Sequence, residues 1–176
     1  MLVKYFAGKI VITLCLFFST IIHAEHLDSE LNLEQFLDDK GFVRIDYMKL
    51  PTHHALVEAS INGKSGYFII DTGAQATVIH HESAEKFSLV QENEAPSTEA
   101  TGVGGSITTR SYLIESLIIE GNAVSLSSVY SMDLSHVVDA LNSFTEEKID
   151  GVLGQDIMEV HEAIIDTASN TVYLKL

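Results

Sequence analysis

The chain has 176 residues, room for one domain or for one domain and a short appendage. Hydrophobic residues make up 46% and charged residues 20%, which excludes a disordered polar chain. Ten basic residues stand against 25 acidic ones, a formal net charge of −15, which excludes the basic surface that nucleic-acid binding requires.

The first 24 residues read as a targeting segment. Lys4 and Lys9 precede a 13-residue uncharged apolar run, Ile10 to Ile22, and Ala24 then precedes the acidic stretch from Glu25. A basic start, a short apolar centre and a small exit residue predict a secretory signal peptide over 1–24, although Ile22 stands where a second small residue is ideal. The run is too short for a spanning helix, so an uncleaved anchor is the lesser reading and no stable membrane span is expected after cleavage. Cys15 lacks the small preceding residue of a lipoprotein signal. Cleavage removes this single cysteine, which excludes a disulfide and a cysteine nucleophile. Two of the ten basic residues and none of the 25 acidic ones precede Glu25, so the 152 residues that remain carry a formal charge of −17. The expected location is exported, periplasmic or secreted.

Residues 25–41 form an N-terminal extension. Asn32 and Gln35 have the spacing of a capping pair, and Leu33, Phe36 and Leu37 share one helical face. These predict a helix over about 33–40 that stops at Gly41. From Phe42 onward the pattern is that of strands. Phe42–Met48 and His54–Ile61 are β-rich, Pro51 interrupts them, and Asn62-Gly63 predicts a hairpin into the apolar strand Tyr67–Ile70. Residues 92–105 read as loop. Ile107–Arg110, Tyr112–Glu120 and Val124–Tyr130 read as strands, and Leu134–Phe144 as a short helix or loop. Ile149–Gly154 reads as a further strand, with a short helix over 155–160. Ala163–Asp166 and Thr171–Leu174 bracket a closing hairpin. Many short strands with frequent turns predict an all-β domain over 42–176, a small barrel or sandwich.

One stretch carries chemistry. In Phe68-Ile69-Ile70-Asp71-Thr72-Gly73-Ala74 a buried strand ends in a carboxylate, a small hydroxyl and a glycine. The strand fixes Asp71 at low dielectric, Thr72 can lock the turn, and Gly73 allows close backbone approach. One such loop presents one carboxylate. Two brought together cannot both ionise, so they share a proton and can serve as general base and general acid.

The stretch resembles the aspartic protease signature, and supporting matches extend over residues 42–176. Thr77-Val78-Ile79 is similar to the strand that follows the motif. Gly102, Val103, Gly104 and Gly105 begin 31 residues beyond Asp71, where a glycine-rich flap is expected. Val152, Leu153 and Gly154 are similar to the segment that supports the active-site loop. The chain resembles a single-lobe, retropepsin-like protease of the bacterial secreted kind. The resemblance implies a small closed β-barrel with one or two short helices. It implies a homodimer in which Asp71 of each subunit forms a catalytic dyad. Thr72 would brace the two loops, Gly73 and Ala74 would shape the floor, and Gly102–Gly105 would close over a peptide or protein substrate. Peptide hydrolysis by this route needs no metal or organic cofactor. The alternative is a non-catalytic peptide-binding module that keeps the fold.

Other candidates receive plainer readings. Asp166-Thr167-Ala168 repeats the motif superficially, but Ala168 lacks glycine's freedom and the segment fits a hairpin. His53-His54 and His80-His81 point to opposite faces if they lie on strands, so no metal site is expected. His136 and His161 are expected at the surface. Ser65, Ser83 and Ser106 lack a nucleophile-elbow context. The Gly102–Gly105 stretch lacks the lysine and frame of a phosphate loop. No tyrosine immediately precedes Gly102, and Tyr112 follows as a candidate flap or core residue.

Overall fold

The computed structural model describes residues 32–91, 98–102 and 105–176. The expected signal peptide, residues 25–31 of the extension, Val103 and Gly104 lie outside these residues. Asn32 caps the first helix, α1 (Leu33–Asp38), by accepting the Glu34 N–H at 3.0 Å. Only Leu37 of this helix is buried, in a small cluster with Phe42 and Tyr173. Gly41 takes φ +81° just beyond the helix, a conformation suited to glycine.

The strands follow in order: β1 (Phe42–Asp46), β2 (Met48–Lys49), β3 (Ala55–Ile61), β4 (Lys64–Ile70) and β5 (Val78–His80). A 3-10 turn, His81–Ser83, leads to β6 (Val90–Gln91), β7 (Thr98–Gly102), β8 (Gly105–Leu113), β9 (Leu117–Ile119), β10 (Asn122–Val124) and β11 (Ser128–Met132). Then come α2 (Ser135–Asn142), β12 (Ile149–Leu153), α3 (Gln155–Val160), β13 (Ile164–Asp166) and β14 (Thr171–Lys175). The all-β class with few short helices is as expected. Two details differ. Thr98–Gly102, read as loop, is a strand paired antiparallel with β8. Residues 105–113 form one continuous strand, whose backbone pairs in turn with β7, β6 and β11.

Turn chemistry sets the local registers. Asn62 at φ +51° and Gly63 at φ +73° supply the two left-handed positions of a tight hairpin between β3 and β4. The Asn62 side chain also accepts the Glu115 N–H at 2.7 Å and donates to the Phe87 carbonyl at 3.0 Å, tying two later segments to this turn.

Two sheets form. The smaller has the order β1-β14-β13 and joins the beginning of the domain to its end. The larger has the order β10-β9-β3-β4-β12-β5-β11-β8-β6, with β2 added on β3 and β7 on β8. This path is open, because β10 and β6 end it without pairing to each other. The expected closed barrel is therefore corrected to an open sheet of the same fold type. Its terminal strands have only three and two residues, short edges of the kind that discourage further pairing.

The central strands are covered on both faces. Neighbouring residues point to opposite sides of a strand. Val57, Phe68, Ile79 and Leu153 face the main core, while Leu56, Ile69, Val78 and Val152 face a second cluster closed by Val138 and Leu141 of α2. Burial on both sides explains the unbroken apolar runs in β4, β5 and β12.

Candidate active site

The Asp71 loop arises from a chain crossing. β4 and β12 run parallel, with Ile70 opposite Leu153 at their C-terminal ends. β5 runs antiparallel on the other edge of β12, with Val78 opposite Val152. The loop from Asp71 to Thr77 therefore leaves β4, passes over the end of β12 and returns on its far side. Close approach at the crossing demands glycine. A Cβ on Gly154 would lie 2.4 Å from the Ala76 carbonyl carbon, and one on Gly151 would lie 2.2 Å from the Val78 oxygen.

Asp71 is half-buried, and Thr72 and Gly73 are exposed. The Asp71 N–H donates to the Leu153 carbonyl at 3.0 Å, and its own carbonyl accepts the Ala74 N–H at 3.1 Å. Asp71 Oδ1 accepts the Gly73 N–H at 2.8 Å. Among the described residues, nothing bonds Asp71 Oδ2 or the Thr72 hydroxyl. The loop thus presents one carboxylate oxygen available to a ligand and one exposed hydroxyl. Ala74 is half-buried against the second core cluster.

Val152, Leu153 and Gly154 lie directly under the loop. The neighbouring pair Gln155-Asp156, which closes the stretch similar to the loop-supporting segment, supplies most of the polar support. The Gln155 backbone N–H donates to the Ala74 carbonyl at 2.9 Å, and its side-chain Nε2 donates to the Thr72 carbonyl at 2.7 Å. Asp156 accepts the Thr77 N–H and the Thr77 hydroxyl, each at 2.8 Å. Thr77 Oγ1 in turn accepts the Gly154 N–H at 3.2 Å. The available signal was two polar residues directly after a buried strand and its closing glycine. Their partners lie 79 to 83 residues earlier in the chain, so no local pattern connects them.

A buried carboxylate ties the start of β12 to its neighbours. Asp150 sits at an irregularity in the β12–β4 register and is fully buried. It accepts the Ser83 hydroxyl at 2.7 Å, Lys86 Nζ at 2.6 Å and the Tyr67 N–H at 3.2 Å. Ser83 is thereby committed to a structural bond. Phe87 packs at 5.7 Å against Phe68 beside this network.

In the expected flap, Gly102 pairs with Gly105 at the tip of the β7–β8 hairpin, while Val103 and Gly104 lie outside the described residues. Tyr112 packs against the main core.

The repeated motif at Asp166 forms a tight turn. Asp166 Oδ1 accepts the Ala168 N–H at 2.9 Å, as Asp71 does from Gly73, but Oδ2 is occupied by the Ser169 hydroxyl at 2.8 Å. The Ser169 hydroxyl, followed by the backbone donors, holds the Asp166 carboxyl below its ordinary range. Both oxygens are engaged within the hairpin itself.

Two histidine expectations need correction. His161 is buried. Its Nδ1 bonds the Lys175 carbonyl at 2.9 Å, and its Nε2 accepts the Ser125 N–H at 3.1 Å, so it clamps two segments together. His136 is exposed, as expected. His80 and His81 do not face apart, because β5 ends at His80 and a 3-10 turn starts at His81. Their rings lie 4.6 Å apart, and with Asp133 they gather three possible ligand atoms. The donor set nevertheless fits a metal poorly. His80 Nδ1 accepts the Leu134 N–H at 3.1 Å, which leaves the ring proton on Nε2. A metal on Nε2 would place an Nδ1 proton against that N–H. The Asp133 carboxyl is held below its ordinary range chiefly by the Ser135 hydroxyl and N–H, with His81 a smaller influence.

Comparison with known proteins agrees with this geometry. A family model described as aspartyl protease matches residues 57–157, more than half of the chain, from β3 into α3. No curated protein sequence matches the chain. Among solved structures, it is similar to a retropepsin-like aspartic protease from Rickettsia conorii, with a TM-score of 0.50 and 18% identity, over 76% of this chain and 90% of that one. It is also similar to the EIAV protease complexed with the inhibitor HBY-793, with a TM-score of 0.44 and 19% identity, over 61% of this chain and 86% of that one. The matched segment contains the Asp-Thr-Gly loop, the strand beneath it and the glycine on which it rests, and the chain belongs to the aspartyl protease family, with a retropepsin-like fold.

Proposed function

We propose that the protein is an exported aspartic endopeptidase, active as a homodimer, with Asp71 of each subunit forming the catalytic pair. The observation that carries this reading is the Asp71 loop. It is rigidly bonded below, yet its Thr72 and Gly73 are exposed and one Asp71 oxygen has no partner among the described residues. A single loop offers one carboxylate, and the mechanism needs two that share a proton.

In the proposed reaction the ionised Asp71 accepts a proton from water as that water attacks the scissile carbonyl carbon. The protonated Asp71 of the other subunit donates its proton to the carbonyl oxygen. The resulting gem-diol collapses when the Asp71 that gave up its proton takes one hydroxyl proton back, while the other Asp71 gives the proton it took from water to the departing nitrogen, so the pair ends with one proton, as it began. Thr72 from each loop braces the pair. The β7–β8 hairpin closes over an extended peptide, held by main-chain hydrogen bonds as an added strand. The basic and then apolar pattern of residues 1–24 supports export before the protein acts.

The test is a paired digest. Protein produced from the full-length chain and its Asp71→Asn variant are incubated with a diverse peptide mixture from about pH 3 to 7, the range of a shared-proton pair. Cleavages are read by mass spectrometry, and oligomeric state by analytical ultracentrifugation. Cuts that vanish in the variant are expected, from a dimer. No cuts from a folded dimer would favour a non-catalytic peptide-binding module. Cuts that persist in the variant, or come from a strict monomer, would refute the Asp71 pair.

A further inference from the structure

The Thr72–Gly73 peptide group is held at both ends. Its carbonyl accepts Gln155 Nε2 at 2.7 Å, and its N–H donates to Asp71 Oδ1 at 2.8 Å. A peptide group is planar, so these two directions cannot vary independently. The Gln155 amide orientation is unambiguous, because a carbonyl can only accept and must therefore face Nε2. The Gln155 backbone N–H also holds the Ala74 carbonyl at 2.9 Å, so one residue of α3 fixes the chain on both sides of Gly73. Gly73 has the backbone freedom to flip if that restraint is lost.

We propose that Gln155 is a positioning residue, which locks the Thr72–Gly73 peptide plane and so aims the Gly73 N–H at the Asp71 carboxylate. The inference rests on the reading of Asp71 as the acid–base group only for its effect on catalysis; the locking itself is a property of the fold. The chain of donors runs in one direction, from the Gln155 amide through the peptide group to the carboxylate, and each bond polarises the next. Gln155 holds Asp71 Oδ1 in place and leaves Oδ2 to meet water or the partner carboxylate.

Three variants in the full-length chain test it. Gln155→Glu keeps the shape but sets a carboxylate against the Thr72 carbonyl. Gln155→Met removes the donor without adding charge, and serves if Gln155→Glu does not fold. Gln155→Lys restores a donor that reaches the same oxygen. The first readout is the Gly73 amide in NMR spectra and hydrogen exchange. Loss of its bond should move the amide proton upfield and speed its exchange at least about tenfold in Gln155→Glu and Gln155→Met, with Gln155→Lys close to the parent. The second readout is kinetic. The proposal expects kcat to fall about 10- to 100-fold with KM nearly unchanged and a melting temperature close to the parent's, and Gln155→Lys to recover most of the rate. An unaltered Gly73 amide in a folded Gln155→Glu or Gln155→Met protein overturns the proposal. So does a loss of rate matched by a loss of stability that lysine does not rescue. If the parent cuts no peptide, or Asp71→Asn cuts as well as the parent, the catalytic reading fails, while the Gly73 amide still decides the role of Gln155.

Discussion

Replacing Thr77 by valine keeps the side-chain volume and removes one oxygen. That oxygen does two things: Thr77 Oγ1 donates to Asp156 Oδ1 at 2.8 Å and accepts the Gly154 N–H at 3.2 Å. Thr77 is fully buried, so no water replaces it. Losing a bond to a charged acceptor costs about 1.5–3 kcal/mol, and leaving a buried N–H unpaired costs about 1–3 kcal/mol. A buried methyl returns about 0.8 kcal/mol. Asp156 keeps the Thr77 and Ile157 N–H groups, at 2.8 and 2.9 Å, so the carboxylate is not abandoned. The net destabilisation should be about 3 kcal/mol. At roughly 2–4 °C per kcal/mol for a chain of this size, the melting temperature should drop by about 6–12 °C. Urea titration measures the quantity directly, with the midpoint lowered and the slope unchanged. A loss below about 1 kcal/mol would refute the reasoning, because with the methyl's return added back it would leave the two bonds worth less than their combined lower bounds. An altered slope would instead place the effect in the unfolded chain.

Gly154→Ala should displace the loop itself, since the new Cβ would lie 2.4 and 2.5 Å from the Ala76 carbonyl carbon and oxygen. We expect a loss of about 3 kcal/mol or more in a melt and, for a shift of about 1 Å at Asp71, a fall near a hundredfold in peptide cleavage. Lys86→Met strands the fully buried Asp150. A fully buried pair would lose about 3–5 kcal/mol, but the Lys86 side chain is 43% exposed, so about 2–4 kcal/mol is expected by urea titration, with partial recovery on adding Asp150→Asn. Asp166 has a folded pKa depressed by the Ser169 hydroxyl and backbone donors, so its stabilising contribution is full above its unfolded value near 3.9 and is lost as pH falls through the folded value. Asp166→Asn should therefore be less stable than the parent at pH 7, and the two melting temperatures should converge below about pH 4; a constant difference down to pH 2 would contradict this.

Local signals in the chain were enough for most elements. Asn62-Gly63 adopts the two left-handed conformations that its residue types favour, so the β3–β4 hairpin was legible. Apolar runs marked β4, β5 and β12, because strands covered on both faces lose their alternation. The Asp71 loop and Val152-Leu153-Gly154 were legible because glycine and aspartate are needed there for backbone reasons. Thr98–Gly102 was misread, since a polar strand with glycine has the composition of a loop and owes its pairing to β8. His161 was misplaced because its burial comes from partners at Ser125 and Lys175, each in a different segment.

What the sequence by itself determined is the set of turns, the apolar strands and the carboxylate loop, all consequences of neighbours within a few residues. The tertiary structure alone decided that β12 lies between β4 and β5, that β1 joins β14, and that the large sheet stays open. It alone placed Gln155 under Thr72, 83 residues away, and Asp156 under Thr77, 79 residues away. The physical reason is that a lone glutamine or aspartate after a strand carries no local preference for either partner. Each acquires its role only when two parallel strands end side by side and the loop above them leaves carbonyl and N–H groups that must be paired.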